Sequence, residues 1–260
     1  MDFNIYTTEM SKSVWDKAFF MDKIIGAKCV IDFGCADGAM IHFLAPLFPD
    51  ITFVGYDINE QLIKKARSTA PFYANCIFFE DRVFEGISAV IKFVIDRFKS
   101  EEICVNFSSV LHEVFSSTGG LSGIQYLINA LEPRYITIRD MYCDEHIPFA
   151  SEKQFNEVWG PLLAGPTMDF ENRYGKLTDW RDMTHFLMKL QWLDNGWEEE
   201  LEEDYYSWTI DEFIDKIGPY MTIFDCRYQL PYLGEKWKKE YKWYLPDIHT
   251  HAQFILRRDD

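Results

Sequence analysis

Positive charge is scarce in this chain: 26 lysines and arginines face 42 acidic residues, for a formal charge of −16 and a pI near 4.8. That balance disfavours a long surface that tracks phosphates regardless of sequence, because such binding needs clustered Lys and Arg to release counterions. A local basic patch stays open. Long hydrophobic runs are missing too. No stretch of roughly 18 apolar residues occurs, and Met1 to Lys28 is broken by Asp16, Lys17, Asp22 and Lys23. No signal sequence, membrane span or membrane partner is expected, and the chain reads as cytoplasmic and soluble. The cysteines at 29, 35, 76, 104, 143 and 226 form no CxxC pair and no metal-like spacing, so they read as reduced structural thiols, with no metal site. There is no serine nucleophile elbow, HExxH, P-loop or EF-hand loop, no internal repeat and no low-complexity tract.

What is present is enough for one enzyme-sized body with an elaboration, since 260 residues at 48% apolar and 17% aromatic can bury a large core. Its most informative stretch is Val30-Ile-Asp-Phe-Gly-Cys-Ala-Asp-Gly38. An apolar strand runs into Asp32-x-Gly34-x-x-x-Gly38 and then into a helix-period segment (Met40, Ile41, Phe43, Leu44, Leu47). The glycines permit a tight turn and close backbone approach, and the helix directs its first N–H groups at a ligand. A second apolar strand, Ile51 to Ile58, contains Asp57 near its end, where a ribose diol is usually gripped. A nucleotide-like ligand is implied. An acid two residues before the first glycine departs from the G-x-G-x-x-G of dinucleotide loops and suits a cation.

Further along, strands alternate with helix-period segments, the pattern of a doubly wound, mostly parallel sheet. Strands are expected at 28–33, 51–57, 76–79, 103–107, 135–139, 220–228 and 252–256, and helices at 11–25, 60–68, 84–98, 121–131 and 210–217. Strands six and seven lack a crossover helix and so suggest an antiparallel end, joined by a loop of about twenty residues, Leu230 to His249. Between strand five and residue 208 the alternation stops. Residues 143–207 are expected to form an inserted helical cap, set against a core of 1–142 and 208–260. The insertion's aromatic residues (Trp159, Trp180, Trp192, Trp197, Tyr205, Tyr206, with Trp208 just after) fit the small core of a lid better than a stacking wall, because Phe186, Leu187 and Leu190 recur among them at helical spacing. Glu198 to Asp204 reads as a solvated acidic face.

The strand, loop, helix, strand and acid in this order resemble the first two motifs of class I S-adenosylmethionine-dependent methyltransferases, with Ala36 where many members carry another glycine. The wording Ser11 to Phe20, Ser108-Ser109-Val-Leu-His112-Glu113 and Ile138-Arg139-Asp140-Met141 is similar to uncharacterised phage and bacterial methyltransferases. The resemblance implies a seven-stranded class I methyltransferase fold, S-adenosylmethionine as methyl donor and S-adenosylhomocysteine as product. It implies a cofactor site at Asp32, Gly34, Cys35 and Gly38, with Asp57 on the ribose, Ile58 on the adenine, Asp81 (or its rival Glu80) at the adenine amino group, and Asn106 and Ser108 beside the methionine portion.

On the acceptor side, His112 and Glu113 face the expected cleft, where a neutral histidine can take a proton or simply support the loop. Arg139 and Asp140 either bind an acidic acceptor or pair with each other; His251 is expected to be a packed histidine at the far sheet edge. A small-molecule acceptor is the first reading. A nucleic-acid acceptor would need Arg134, Arg173, Lys176, Arg181 and the 236–242 lysines to converge on the cleft, and a non-catalytic cofactor-binding module would need the cap to fill it. Oligomeric state is not legible.

Overall fold

The computed structural model describes residues 14–69, 73–80, 85–117, 120–160, 162–241 and 246–259. Seven strands form one sheet: β1 (Cys29–Phe33), β2 (Thr52–Asp57), β3 (Cys76–Glu80), β4 (Ile103–Ser108), β5 (Tyr135–Met141), β6 (Tyr220–Tyr228) and β7 (His251–Arg258), in the order β3-β2-β1-β4-β5-β7-β6. The first five run parallel, and β7 inserts antiparallel between β5 and β6. Strand β1 is buried at every position, as a central strand covered on both faces must be.

Helices α1 (Val14–Lys17), α2 (Ala39–Leu44) and α3 (Glu60–Thr69) precede β3; α4 (Glu85–Ile95), α5 (Leu111–Ser116) and α6 (Gly120–Leu131) follow it. One face of the sheet packs on α4, α6 and α11 (Ile210–Ile217) through Val90, Val94, Leu127 and Phe213. The other packs on Phe20, Ile24, Met40, Ile41, Leu44 and Ile63. The order of β1 and β4 reverses the direction of winding, so a crevice opens at the carboxyl ends of these strands.

Residues 143–207 hold α7 (Glu152–Trp159), α8 (Ala164–Tyr174), α9 (Trp180–Lys189) and α10 (Trp197–Glu202). Asp179 caps α9 by accepting the Asp182 N–H, and Met183, Phe186 and Leu187 fall on its buried face. They join a separate apolar cluster with Phe170, Trp180, Trp197 and Tyr205. Leu230, Leu233, Trp237 and Ile248 complete that cluster from the β6–β7 connection. This connection is not a plain loop: it carries α12 (Pro231–Tyr241), which opens on a proline at the first helical position and buries Leu233 and Trp237 four residues apart. The expected N-terminal helix is also shorter within the described residues, ending at Lys17. All six cysteines are free. Among the described residues no helix is long and apolar enough to cross a membrane.

Candidate active site

A cleft of about 530 Å³ lies at the carboxyl ends of β1, β2 and β4, within the roughly 300–1,000 Å³ of small-ligand pockets. The glycine loop forms its floor. Gly34 has φ +76° and packs so closely on Val110 that a Cβ there would come within 2.7 Å of a methyl group, so only glycine fits without strain. Gly38, φ +74°, starts α2 and abuts Phe78; it shapes the turn without lining the cleft. Asp57 at the end of β2 accepts the Ala36 N–H and the Asn59 N–H, each at 2.8 Å, and thereby ties the loop to the strand whose carboxylate enters the cleft. Burial raises the Asp57 pKa, with those two bonds opposing the shift. Cys35, its thiol pushed up by burial, and Ile58, 75% exposed, also line the cleft. Asp81 lies outside the described residues; Glu80 is held by Arg67 at 3.2 Å and is not in the lining.

Deeper in, strand register places Asp32 opposite Asn106 and Asn106 opposite Thr137. The three form a buried row: Asn106 donates to Asp32 at 2.8 Å and accepts from Thr137 at 2.8 Å. Asn106 is therefore not a ligand contact as expected; its amide N–H is spent on Asp32 and its amide oxygen on Thr137, and Asp32 alone of the row reaches the cleft. Burial lifts the Asp32 pKa to about 6, restrained by Asn106 and by Lys17. Lys17 also lines the cleft; burial brings it down to about 8, with Arg139 adding to the effect and Asp32, Asp140 and Asp16 opposing it. The hydroxyl of Ser108 borders the cleft, is buried, and has no partner among the described residues. An orphaned hydroxyl, a carboxylate and an ammonium beside a loop that admits no Cβ suit the zwitterionic tail, sulfonium and ribose of S-adenosylmethionine.

Arg139 and Asp140 do not pair with each other, as neighbours on a strand point to opposite faces. Arg139 binds Asp16 at 2.6 Å and Ser109 at 3.0 Å, and Asp16 also takes the hydroxyl of Tyr228 at 2.6 Å, so this cluster docks α1 on the ends of β5 and β6. Asp140 is fully buried and absent from the cleft lining, which removes it from contact with an acceptor. Its Oδ2 accepts the N–H groups of Val110, Leu111 and His112 at 2.7–3.3 Å, and its Oδ1 meets His112 Nδ1 at 2.7 Å. Burial works against charge on His112, but Asp140 and then Glu203 outweigh it and raise the ring to about 10. The neutral histidine of the sequence reading is therefore replaced by an imidazolium at neutral pH. Glu113, open to the cleft, is raised to about 7 by burial, against the pull of His112.

The far wall comes from the insertion: Gln191, Trp192, Glu200, Glu203 and Tyr205. Glu203 lies 3.7 Å from His112 Nε2, and its backbone carbonyl accepts from Lys189 and from Tyr174 at 2.9 Å. The sequence reading of 198–204 as a solvated face holds for Glu198, Glu199 and Glu202 but not for Glu200, which is 4% exposed and bonded to the Tyr205 hydroxyl, nor for Glu203, which turns into the site. Of the insertion's aromatic residues named above, Trp192 and Tyr205 reach the cleft; Trp180, Trp197 and Tyr206 are core. His251 is buried as expected and bonded to Thr250 at 3.0 Å, yet it lies mid-sheet, opposite Met141 and Tyr228, and borders the cleft.

A family model described as a methyltransferase domain matches residues 26–161, just over half of the chain. No curated protein matches it in sequence. The crystal structure of an S-adenosylmethionine-dependent methyltransferase from Mesorhizobium loti superposes with a TM-score of 0.51 at 14% identity, covering 95% of this chain and 98% of that one, and shares the fold. The plantazolicin methyltransferase BamL, crystallised with S-adenosylhomocysteine and a triazolic desmethylplantazolicin analogue, gives 0.49 at 12% identity over 96% and 84% of the two chains. Human N-acetylserotonin methyltransferase, crystallised with S-adenosylmethionine, gives 0.48 at 12% over 95% and 52%. The chain belongs to this methyltransferase-domain family and is a class I, S-adenosylmethionine-dependent methyltransferase.

Proposed function

We propose that the enzyme methylates a small-molecule acceptor held between the cofactor loops and the helices of residues 143–207, which act as a cap. One observation carries the reading: a single cleft is walled on one side by Gly34, Asp57 and Ser108 and on the other by Trp192, Glu203 and Tyr205. S-adenosylmethionine, when bound, supplies an electrophilic methyl carbon. Asp57 would take the ribose hydroxyls, Ile58 would cover the adenine, and Asp32, Lys17 and Ser108 would hold the methionine end. The chain's contribution is then chiefly alignment. Asp140 acts through His112 and the first turn of α5, as a positioning residue.

The lining supports a small acceptor over a phosphate polymer, since six carboxylates, Asp32, Asp37, Asp57, Glu113, Glu200 and Glu203, outnumber the cations Lys17, Arg139 and His112. Three of the basic residues that a nucleic acid would require are occupied elsewhere. Arg173 pairs with Glu202, Lys176 with Glu171, and Arg181 donates to the carbonyls of Cys143 and Tyr206. Gel-shift titrations with RNA and DNA at two salt concentrations test this. Weak binding is expected; tight binding that falls steeply with salt would overturn the small-molecule reading.

A further inference from the structure

The acceptor side of the cleft gathers three groups that can each offer one ligand atom to a metal ion, His112 once Nε2 gives up its proton. His112 Nε2 and one carboxylate oxygen each of Glu113 and Glu203 all lie within 4.8 Å of one another, and Nε2 is 3.7 Å from Glu203 Oε2. Three such atoms, one of them on a buried ring held by Asp140, leave a gap of the size that one cation fills.

We propose that His112, Glu113 and Glu203 form a binding site for one divalent transition-metal ion, of the Mn²⁺ or Zn²⁺ kind, beside the methyl donor. Ligands at about 2.0–2.2 Å from an ion stand roughly 3 Å apart when adjacent and 4.2 Å apart when opposite, so side-chain shifts below about 1 Å would complete the geometry. One imidazole with two carboxylates suits borderline metals better than Mg²⁺ or Ca²⁺, which prefer all-oxygen sets.

The surroundings are built for that role. Asp140 holds Nδ1 at 2.7 Å and fixes the ring with Nε2 toward the carboxylates, the arrangement of a carboxylate–histidine–metal triad. Asp140 is itself fixed by the N–H groups of Val110, Leu111 and His112. Glu203 is held through its backbone carbonyl by Lys189 and Tyr174. The ion would take the place of the proton on Nε2, and its remaining coordination positions would face the cleft. Glu113 and Glu203 come from different segments, α5 and the end of the insertion, so an ion would also cross-link cap and core.

The test is titration of the full chain with Mn²⁺ at pH 8, followed by the electron paramagnetic resonance signal of the free ion and by calorimetry. It needs no acceptor and no turnover, so it stands apart from the small-molecule reading. One ion per chain is expected. Glu203→Gln, which leaves the fold's cores untouched, should weaken binding at least tenfold, and His112→Gln should do the same. Glu198→Gln, on the outer acidic run, should leave it unchanged. No saturable Mn²⁺ binding, or binding that survives Glu203→Gln, would overturn the site.

Discussion

Asp140 and His112 meet at 2.7 Å, and the same carboxylate accepts three N–H groups from the start of the helix that carries the histidine. The pair thus fixes a backbone turn and a ring orientation together, both out of solvent. Removing one partner of a buried ion pair typically costs about 3–5 kcal/mol, since the other charge and its donors stay buried and unpaired. Asp140→Ala should lower the unfolding free energy by about that amount in a urea titration. A loss below about 1 kcal/mol would show that the turn holds itself.

Asp57→Ala removes a charge-assisted acceptor, an effect of about 1.5–3 kcal/mol. Calorimetry should then show S-adenosylhomocysteine binding at least tenfold weaker than in the parent enzyme. Because Asp57 also anchors Ala36 and Asn59, the variant should exchange those two backbone amides faster. Unchanged affinity would take Asp57 out of the ribose site.

Much of this was readable from the chain because it is local. Strand periodicity, Gly34 and Gly38 at a turn, and an acid ending β2 are set by short-range sterics, and all appear near their expected positions. The missed features are long-range. Nothing in the words Asn106 or Asp140 says that one faces Asp32 across a strand and the other faces a helix N-terminus; register and side-chain direction decide that. Lys17 reads only as a charge that interrupts an apolar stretch, although α1 folds it into the cleft. Glu203 hides within an acidic run, and only the docking of α9 and α10 separates it from its solvated neighbours. The helix at 231–241 was signalled by Pro231 with Leu233 and Trp237, a pattern masked by its many charges.

Cofactor binding should have a bell-shaped pH dependence. Asp32, raised to about 6, must be ionised to meet the ligand's ammonium charge, so affinity should fall as pH drops below about 6. Lys17, lowered to about 8, is charged only below that value, so its hold on a carboxylate should fade as pH rises above it. Asp32→Asn should flatten the acid limb and Lys17→Met the alkaline limb, measured as the S-adenosylhomocysteine dissociation constant from pH 5 to 9.5. A single limb that neither variant changes would assign the titration to other groups.

Gly34→Ala combines two penalties. The left-handed backbone costs a residue with a Cβ about 1–2 kcal/mol, and the new methyl would meet Val110 at 2.7 Å. Val110→Ala in the same chain relieves only the second. Thermal melts should therefore rank parent above the double variant and the double variant above Gly34→Ala. Full recovery in the double variant would mean that the backbone at residue 34 carries no strain.

The segment holding α7 to α10 packs in an apolar cluster that it shares with Leu230, Leu233, Trp237 and Ile248 of the β6–β7 connection, apart from the clusters on the sheet, and two of its polar links reach α5. Asp204 N–H donates to the Ser116 hydroxyl at 2.9 Å, and the Ser207 hydroxyl donates to the His112 carbonyl at 3.3 Å. Both links fall on α5 or its end, next to the site, so the exit of the insertion is tethered there while α7 and α8 depend on packing within that cluster. A segment packed on a cluster separate from the sheet's can open cooperatively, at a free energy below that of global unfolding. With donor and acceptor bound, contacts from Trp192, Glu203 and Tyr205 to the ligands add to the closed state only. Amide exchange in residues 152–202 should therefore slow together when both ligands are present, and by less with S-adenosylhomocysteine alone, while exchange in β1 and β4 stays unchanged. Equal protection of the segment in all three states would make it a rigid wall of the cleft rather than a moving cap.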